Sequence, residues 1–350
     1  MSAIPIPDEV AAAIDAAHER QVELPRSHLG ASQLGHACDR WLWLSFRWAV
    51  REPFPGRILR LFRRGRMEEA TIAADLKSIG IEIHSTEGAQ ARVDFGSHVS
   101  GSLDGIIESG VPGAPKARHI FEAKTHSKKS FDDLVKHGVE KSKPVHAAQM
   151  QVYMAGTNID RALYFAVCKD DDRIYTERLR ASHTEAERLI ARGHRIALAD
   201  RMPEPLSSNP SWYECKFCAA HDFCHGSKKT KEVNCRTCAH STAEPSTPDS
   251  DAHWTCARFD RSVIPIETQY TGCGSHVLHP DMVKWRMKDG KDNFTAVYEI
   301  NGVDVANGDP ENEGVFSSKE LLANSNACAD KESWKTLHDL RKQFNGRIVK

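Results

Sequence analysis

The apolar and polar positions along the chain change period several times, and each change marks an expected element. Ser32 is a suitable N-cap for the Trp- and Leu-rich run QLGHACDRWLWLSFRW, which has no breaker and predicts a helix within residues 26–50. Pro53, Pro55 and Gly56 end it. Apolar side chains then recur near helical spacing at Ile58, Leu61, Phe62, Ala73 and Leu76, predicting a second helix over 57–78 that Gly80 closes. Beyond Gly80 the pattern turns extended, with strands expected at 81–84, 91–95, 99–107 and 119–124. The turn GVPGAPK between the last two reads as a hairpin connection. A helix over 145–155, strands at 162–168 and RIYTERL, and a helix over 184–201 stopped by Pro203 and Pro205 complete the regular part. Further on, AVYEINGVDVANG predicts one hairpin and residues 333–344 one helix.

Helix, three strands, helix, strand is the order of an α/β domain with a mixed central sheet flanked by helices. After Cys224 the character changes to a basic stretch, SKKTKEVN, and a polar loop, STAEPSTPDSD. The expected division is an N-terminal segment 1–25, an α/β domain 26–228 carrying a cysteine cluster, a small cysteine-rich metal-binding module 229–285, and a C-terminal segment 286–350 without an assigned role. A chain of 350 residues is long for one core and fits this plan. With 47 Lys and Arg against 48 Asp and Glu, attraction to nucleic acid would require a local basic face. No apolar stretch approaches the ~18 residues a membrane span needs. The opening MSAIPIPDEV places acids where a signal peptide would be basic and then apolar, so an intracellular, cytoplasmic protein is expected.

Asp104 in SLDGI and Glu122 in IFEAKT stand near the ends of strands joined by a short turn, so antiparallel pairing would set the two carboxylates side by side. Crowded carboxylates repel, and a divalent cation relieves that cost in a hard, oxygen-lined site suited to Mg²⁺. Lys124 lies two residues beyond Glu122 and shares its face by strand alternation. Glu69 on the preceding helix is a candidate third acid. Glu68 and Gln151 read as surface neighbours, and Asp94 and His98 as turn or strand-end residues.

These residues in this order resemble the PD-(D/E)XK nuclease superfamily, and within it the exonuclease branch around RecB, AddB and the phage recombination exonucleases. Gly65 and Glu69 match that branch's Gly-x-x-x-Glu helix, Asp104 its metal-binding aspartate, Glu122-Ala123-Lys124 its E-x-K strand, and Gln149 with Tyr153 its Q-x-x-x-Y helix. Where RecB-like members often carry His, this chain has Glu69, as in the phage pattern. The resemblance covers residues 26–228. It implies a metal-dependent DNA exonuclease acting on ends or single strands in recombination, repair or phage replication, encoded by a phage or bacterium and working with a recombination or replication partner protein. Asp104, Glu122, Glu69 and the Ala123 carbonyl would hold Mg²⁺ or Mn²⁺, and Lys124 would position the water. Gln149 and Tyr153 would orient the strand or the acids, and Arg60, Arg63, Arg64 and Arg66 would meet phosphates. Two alternatives stay open: a non-catalytic nucleic-acid-binding or assembly protein on a nuclease-like core, and a DNA end trimmer of the CRISPR-adaptation type.

Ten cysteines in an intracellular chain point to metal when they are bunched. Cys215, Cys218 and Cys224 form C-x2-C-x5-C and lack a fourth ligand, for which Cys38 in SQLGHACDRW is the candidate. That split set resembles the iron–sulfur nucleases of the AddB and CRISPR-adaptation types, which implies a 4Fe–4S cluster on Cys38, Cys215, Cys218 and Cys224; zinc is the alternative. Cys235, Cys238, Cys256 and Cys273, spaced C-x2-C-x17-C-x16-C, form a looser set for which zinc is expected, with His240, His253 or His276 able to replace a cysteine. Cys168 reads as a small buried hydrophobe, and Cys328 has no partner spacing.

Overall fold

The computed structural model describes residues 9–21, 24–51, 54–85, 91–289 and 294–345. Pro53, residues 1–8 of the N-terminal segment, and 290–293 and 346–350 of the C-terminal segment lie outside them. In chain order the elements are α1 (Glu9–Glu19), β1 (Leu29–Gly30), α2 (Asp39–Phe46), α3 (Gly56–Ser78), β2 (Glu82–Ser85), β3 (Arg92–Asp94), β4 (Val99–Ser102), β5 (Gly105–Ser109), β6 (His119–His126), α4 (Lys128–Ser142), α5 (Pro144–Thr157), β7 (Arg161–Cys168), β8 (Ile174–Arg180) and α6 (His183–Ala197). They continue with α7 (Tyr213–Lys216), α8 (His221–His225), β9 (Ser241–Glu244), β10 (His253–Cys256), β11 (Ser262–Val263), α9 (Ile266–Thr271), β12 (Arg286–Asp289), β13 (Ala296–Ile300), β14 (Val303–Asn307), β15 (Val315–Phe316), α10 (Ser318–Cys328) and α11 (Lys331–Phe344). Two compact units result: residues up to 36 with 52–194, and residues 37–51 with 195–350. Residues 37–51 and 195–228, read in the sequence with the α/β domain, pack in the second unit.

The first unit is built on a five-stranded mixed sheet of order β2-β5-β6-β7-β8, antiparallel except for the parallel pair β6–β7. Alternation along β6 and β7 separates its two faces. Phe121 and Ala123 of β6 and Leu163, Phe165 and Val167 of β7 join Ile72, Ala73 and Leu76 of α3 in one core. The next residues along, Glu122 of β6 and Tyr164 of β7, are engaged by α5 through Gln149 and His146. The crossover joining β6 to β7 is the helix pair α4–α5, the connection a parallel pair requires. A smaller sheet, β1-β4-β3, pairs β1 parallel and β3 antiparallel to β4.

Several expectations need correction. The helix over 32–50 is only α2, and Cys38, not Ser32, caps it: the Cys38 Sγ accepts the Trp41 N–H at 3.4 Å. Ser32 lies in a 3-10 turn, Ala31–Gln33, held between the paired strand β1 and Gly35, where an added Cβ would stand 2.7 Å from Val145 Cα. The strand over 99–107 is two strands in different sheets, β4 and β5, with Leu103 and Asp104 at the crossover. Helices α1 and α4 were not expected. Phe62 is exposed and edge-on to Phe54. Gln151 is buried, donating to the Arg180 carbonyl at 2.9 Å and accepting the Ser182 N–H at 2.7 Å. Asp94 has its expected turn role, accepting the Gly96 N–H at 2.9 Å.

The second unit contains the sheet β9-β10-β11 and a four-stranded sheet β12-β13-β14-β15. The predicted hairpin is β13–β14, turning at Asn301 and Gly302, both with positive φ. Trp285, Tyr298, Val305, Phe316, Leu321 and Cys328 share one core there. Two arginines are fully buried in this unit among aromatic rings. The Arg47 guanidinium lies 4.7 Å from the Trp43 ring and 5.1 Å from Trp254, and the Arg236 guanidinium 3.8 Å from Trp48. Among the described residues, no helix is long and apolar enough to cross a membrane.

Candidate functional site

Every acid and base expected at the site except the cysteines falls in the first unit. Asp104 immediately precedes β5, whose Gly105 is the register partner of Phe121 on β6, so the hairpin brings Asp104 beside Glu122. The Asp104 carboxylate accepts the Ala123 N–H at 3.0 Å and stands 3.6 Å from the Lys124 ammonium. Lys124 also donates to Glu122 Oε1 and, at 3.1 Å, to the Ala123 carbonyl. Gln149 donates to the other Glu122 oxygen at 3.0 Å. The side chains of Glu122, Asp104 and Lys124 are 0%, 11% and 27% exposed, so the cluster opens to solvent on the lysine side.

The electrostatics follow from this crowding. Burial pushes the Glu122 carboxyl above the usual carboxylate range, with the Lys124 ammonium pulling against it and Asp104 adding to it. Burial acts to lower Lys124, but Glu122 and Asp104 outweigh it and hold the ammonium firmly protonated. Glu69 is carried on the face of α3 that also presents Gly65, Ile72, Ala73 and Leu76, the face turned to the sheet. Its carboxyl is pushed up to about 7, by burial first and by Asp104 second. Glu69, Asp104, Glu122 and Lys124 thus lie in one another's fields, and the hairpin brings the side chains of 104, 122 and 124 together. Glu68, one residue earlier, is half-buried at a groove along α3.

Tyr153 does not point at a carboxylate. Its hydroxyl donates to the Ser102 carbonyl at 2.7 Å, fixing the end of β4 two residues before Asp104. The close approach requires glycine on β4: a Cβ at Gly101 would stand 2.5 Å from Tyr153 Oη. Tyr153→Phe removes the hydroxyl donor from that part-buried carbonyl and is expected to cost about 1 kcal/mol in urea unfolding. Gly101→Ala should destabilise through overpacking, and by less in a Tyr153→Phe background, where the clashing oxygen is gone. Equal costs in the two backgrounds would contradict this contact.

Sequence reading missed a neighbouring cluster. Tyr164 is the register partner of Glu122, and its hydroxyl meets His126 Nε2 and His146 Nδ1, both at 2.9 Å. Burial, then the nearby lysines, lowers His126 to about 4; burial, then Lys124, lowers His146 to about 3, so both are neutral. The legible signal was His146 one helical turn before Gln149, on the face that continues to Tyr153. Of the expected phosphate contacts, Arg60 pairs with Asp15 at 2.6 Å and Arg63 meets His18 at 3.5 Å. Arg57 and Arg64 line the open groove along α3 with them, and Arg66 is exposed on α3.

Both cysteine sets fall in the second unit. Cys38, Cys215 and Cys224 all act electrostatically on Cys218. The Cys38 sulfur accepts the Trp41 N–H and Cys218 the Ala220 N–H, each at 3.4 Å, and the Arg40 side chain hydrogen-bonds Cys224. In the second set, Cys238, Cys273 and Cys256 all act on Cys235. All ten cysteines are free thiols, and Cys168 and Cys328 are buried. Among the described residues, no group of three or more His, Cys, Asp or Glu side chains already has the geometry of a metal site.

No family model and no curated protein matches the chain. Among solved structures it is similar to SSO0001 at 14% identity and a TM-score of 0.39, over 62% of this chain and 96% of that one. It is similar to the alkaline exonuclease LHK-Exo from Laribacter hongkongensis, in complex with dAMP, at 16% identity and a TM-score of 0.37, over 53% of this chain and 90% of that one. A phage-related exonuclease from Haemophilus somnus 129PT is similar at 14% identity and a TM-score of 0.34, over 51% and 96% of the two chains.

Proposed function

We propose that the protein is a metal-dependent nuclease that hydrolyses phosphodiester bonds in DNA, acting as an exonuclease on ends. The observation that carries this reading is the gathering of Asp104, Glu122 and Lys124 around one hairpin, with Gln149 on Glu122 and Glu69 in the same field. Like-charged carboxyls held together at the cost of raised proton affinity are a donor set that fits a hard divalent cation. Glu69, Asp104, Glu122 and the Ala123 carbonyl would hold Mg²⁺ or Mn²⁺. The bound ion would supply an acidified water and offset charge on the phosphodiester.

The chain's own groups supply the rest. Lys124, the most exposed of the three central side chains, carries a positive charge to the mouth of the site, where it can hold an attacking water and a phosphate oxygen. Gln149 fixes the Glu122 carboxylate so that the other oxygen faces Lys124. Tyr153 fixes the backbone leading into Asp104. Arg57 and Arg64 on α3 would meet backbone phosphates. For Cys38, Cys215, Cys218 and Cys224, donors aimed at three of the four sulfurs suit thiolates better than thiols. A 4Fe–4S cluster, or zinc in its place, is proposed there.

The test is end-labelled linear duplex, single-stranded DNA and covalently closed circular DNA with Mg²⁺ or Mn²⁺. Degradation of the linear forms alone, lost in Asp104→Ala, is the expected result. Cutting of the closed circle would replace the exonuclease assignment with an endonuclease one. Wild type that binds DNA and leaves all three substrates intact would remove the catalytic reading.

A further inference from the structure

We propose that Cys235, Cys238, Cys256 and Cys273 form a structural zinc site in the second unit, separate from the thiols at 38, 215, 218 and 224. The fold brings these four residues, distant in sequence, into one neighbourhood by an unbroken series of contacts. Cys235 and Cys238 lie on one tight 3-10 turn, capped by Asn234, whose side chain accepts the Arg236 and Thr237 N–H groups. Ser241 bonds back to the carbonyls of both cysteines, through its hydroxyl and, to Cys238, its N–H at 3.3 Å. Cys256, at the end of β10, is the register partner of Ser241 on β9. The Cys235 thiol donates to the Thr268 carbonyl of α9 at 3.3 Å. That helix ends at Gly272, whose positive φ turns the chain so closely onto the Cys235 turn that an added Cβ would stand 3.3 Å from Asn234 Cα. Cys273 follows directly.

The surroundings of Cys238 suit a thiolate, whereas Cys235 holds its thiol proton on the Thr268 carbonyl, a proton that metal binding would release. Cys238 receives the N–H groups of His240 and Val277, and a neutral thiol is a weak acceptor that gains little from either. A C-x2-C turn whose second sulfur takes the N–H two residues on is an arrangement that suits a metal-bound thiolate. The histidines that could have substituted are committed elsewhere. His276 is buried between Ser318 Oγ at 2.8 Å and the Asn234 carbonyl at 3.0 Å. His253 meets the Asp251 carbonyl at 2.8 Å, and His240 the Phe294 carbonyl at 3.1 Å. Four sulfurs and no nitrogen select a thiophilic, tetrahedral ion.

The segment brings little apolar core of its own. Between 235 and 273 the buried apolar side chains are the two cysteines, Ala243, Trp254 and Ile264, a small core for three short strands. A tetrathiolate zinc would cross-link the 3-10 turn, β10 and the end of α9.

The test is elemental analysis of the full-length protein, purified from zinc-supplemented cells in reducing buffer, with Cys273→Ser, Cys256→Ser and Cys38→Ser beside it. Cys273 is exposed, so its substitution disturbs no packing. Wild type is expected to hold zinc, one equivalent of which per chain is lost in Cys273→Ser and in Cys256→Ser and kept in Cys38→Ser. Cobalt exchanged into Cys38→Ser should give the sulfur-to-metal charge-transfer absorption of a tetrahedral thiolate site, and into Cys38→Ser with Cys273→Ser should not, a reading that needs no enzymatic assay. Wild type without zinc, a zinc content undiminished in both Cys273→Ser and Cys256→Ser, or iron that Cys273→Ser loses would overturn the proposal. None of these outcomes bears on whether the acids of the first unit cut DNA.

Discussion

Exchanging Lys124 for Met is expected to cost the protein both cleavage and stability, and the two losses separate in a double variant. Lys124 is the cation that sits on a fully buried carboxylate, at the mouth of the cluster and within 3.6 Å of Asp104. Removing it strips the phosphate-facing charge, and degradation of linear DNA should fall by about 10³-fold, the order seen when a charged transition-state donor is deleted. It also leaves Glu122 buried opposite Gln149 alone, which costs about 3–5 kcal/mol if the carboxylate stays charged. The carboxyl escapes by holding its proton, so the penalty depends on pH. In the folded variant the Glu122 pKa is raised further above its unfolded value. The unfolded chain therefore loses its proton first as pH rises, and stability falls with pH from about 4.3 upward. Adding Glu122→Gln removes the charge: the double variant should recover most of the stability, lose that pH slope, and remain inactive. Urea unfolding at pH 5 and pH 8 with a cleavage assay at pH 8 reads all three outcomes. A Lys124→Met protein that keeps cutting at the wild-type rate would remove the lysine from the chemistry.

The carboxylate–lysine arrangement was legible because it depends on local rules. Strand alternation puts Glu122 and Lys124 on one face, and the connection 110–118, with positive φ at Gly110 and Gly113, makes the antiparallel return that brings Asp104 alongside. Helical spacing likewise put Gln149 and Tyr153 on one face of α5. The rest was not local. That Tyr153 reaches Ser102 and not an acid depends on the chain passing from the smaller sheet to the main one at Leu103, which no periodicity in VSGSLDGII reveals. The breaker-free run from 32 to 46 reads as one helix, yet β1 pairs with β4 and Gly35 sits against α5. Tertiary pairing overrides propensity there. Helix α4 was hidden for the opposite reason: Gly138, at φ +73, interrupts it, and Glu177 of β8 receives the freed Val139 N–H at 2.8 Å. The cysteine spacings suggested two sets, and the second unit places each set within its own field.

Glu69 gives the second large effect, because its charge state joins folding to cation binding. Burial and the neighbouring Asp104 raise its carboxyl to about 7. Below about pH 4.3 the folded and unfolded chains both hold this proton and nothing is lost. Between about 4.3 and 7 the unfolded chain has released it and the folded chain has not. The unfolded state then binds fewer protons, so without divalent cations stability declines with rising pH across this window and levels off above it. With a half-buried carboxyl, the decline attributable to Glu69 is on the order of 1–2 kcal/mol. Glu69→Gln should remove it, making the variant more stable than wild type at pH 8 in chelator and equal to it at pH 4. A cation acts in the reverse sense, because it stabilises only the ionised carboxylate. Stabilisation of wild type by Mg²⁺ should therefore grow through about pH 7, and the variant should show less of it at pH 8. Chemical unfolding at pH 4, 6 and 8, with chelator or with Mg²⁺, measures each term. Parallel pH profiles for wild type and Glu69→Gln in chelator would place this glutamate outside the acid cluster and leave Asp104 and Glu122 to hold the ion alone.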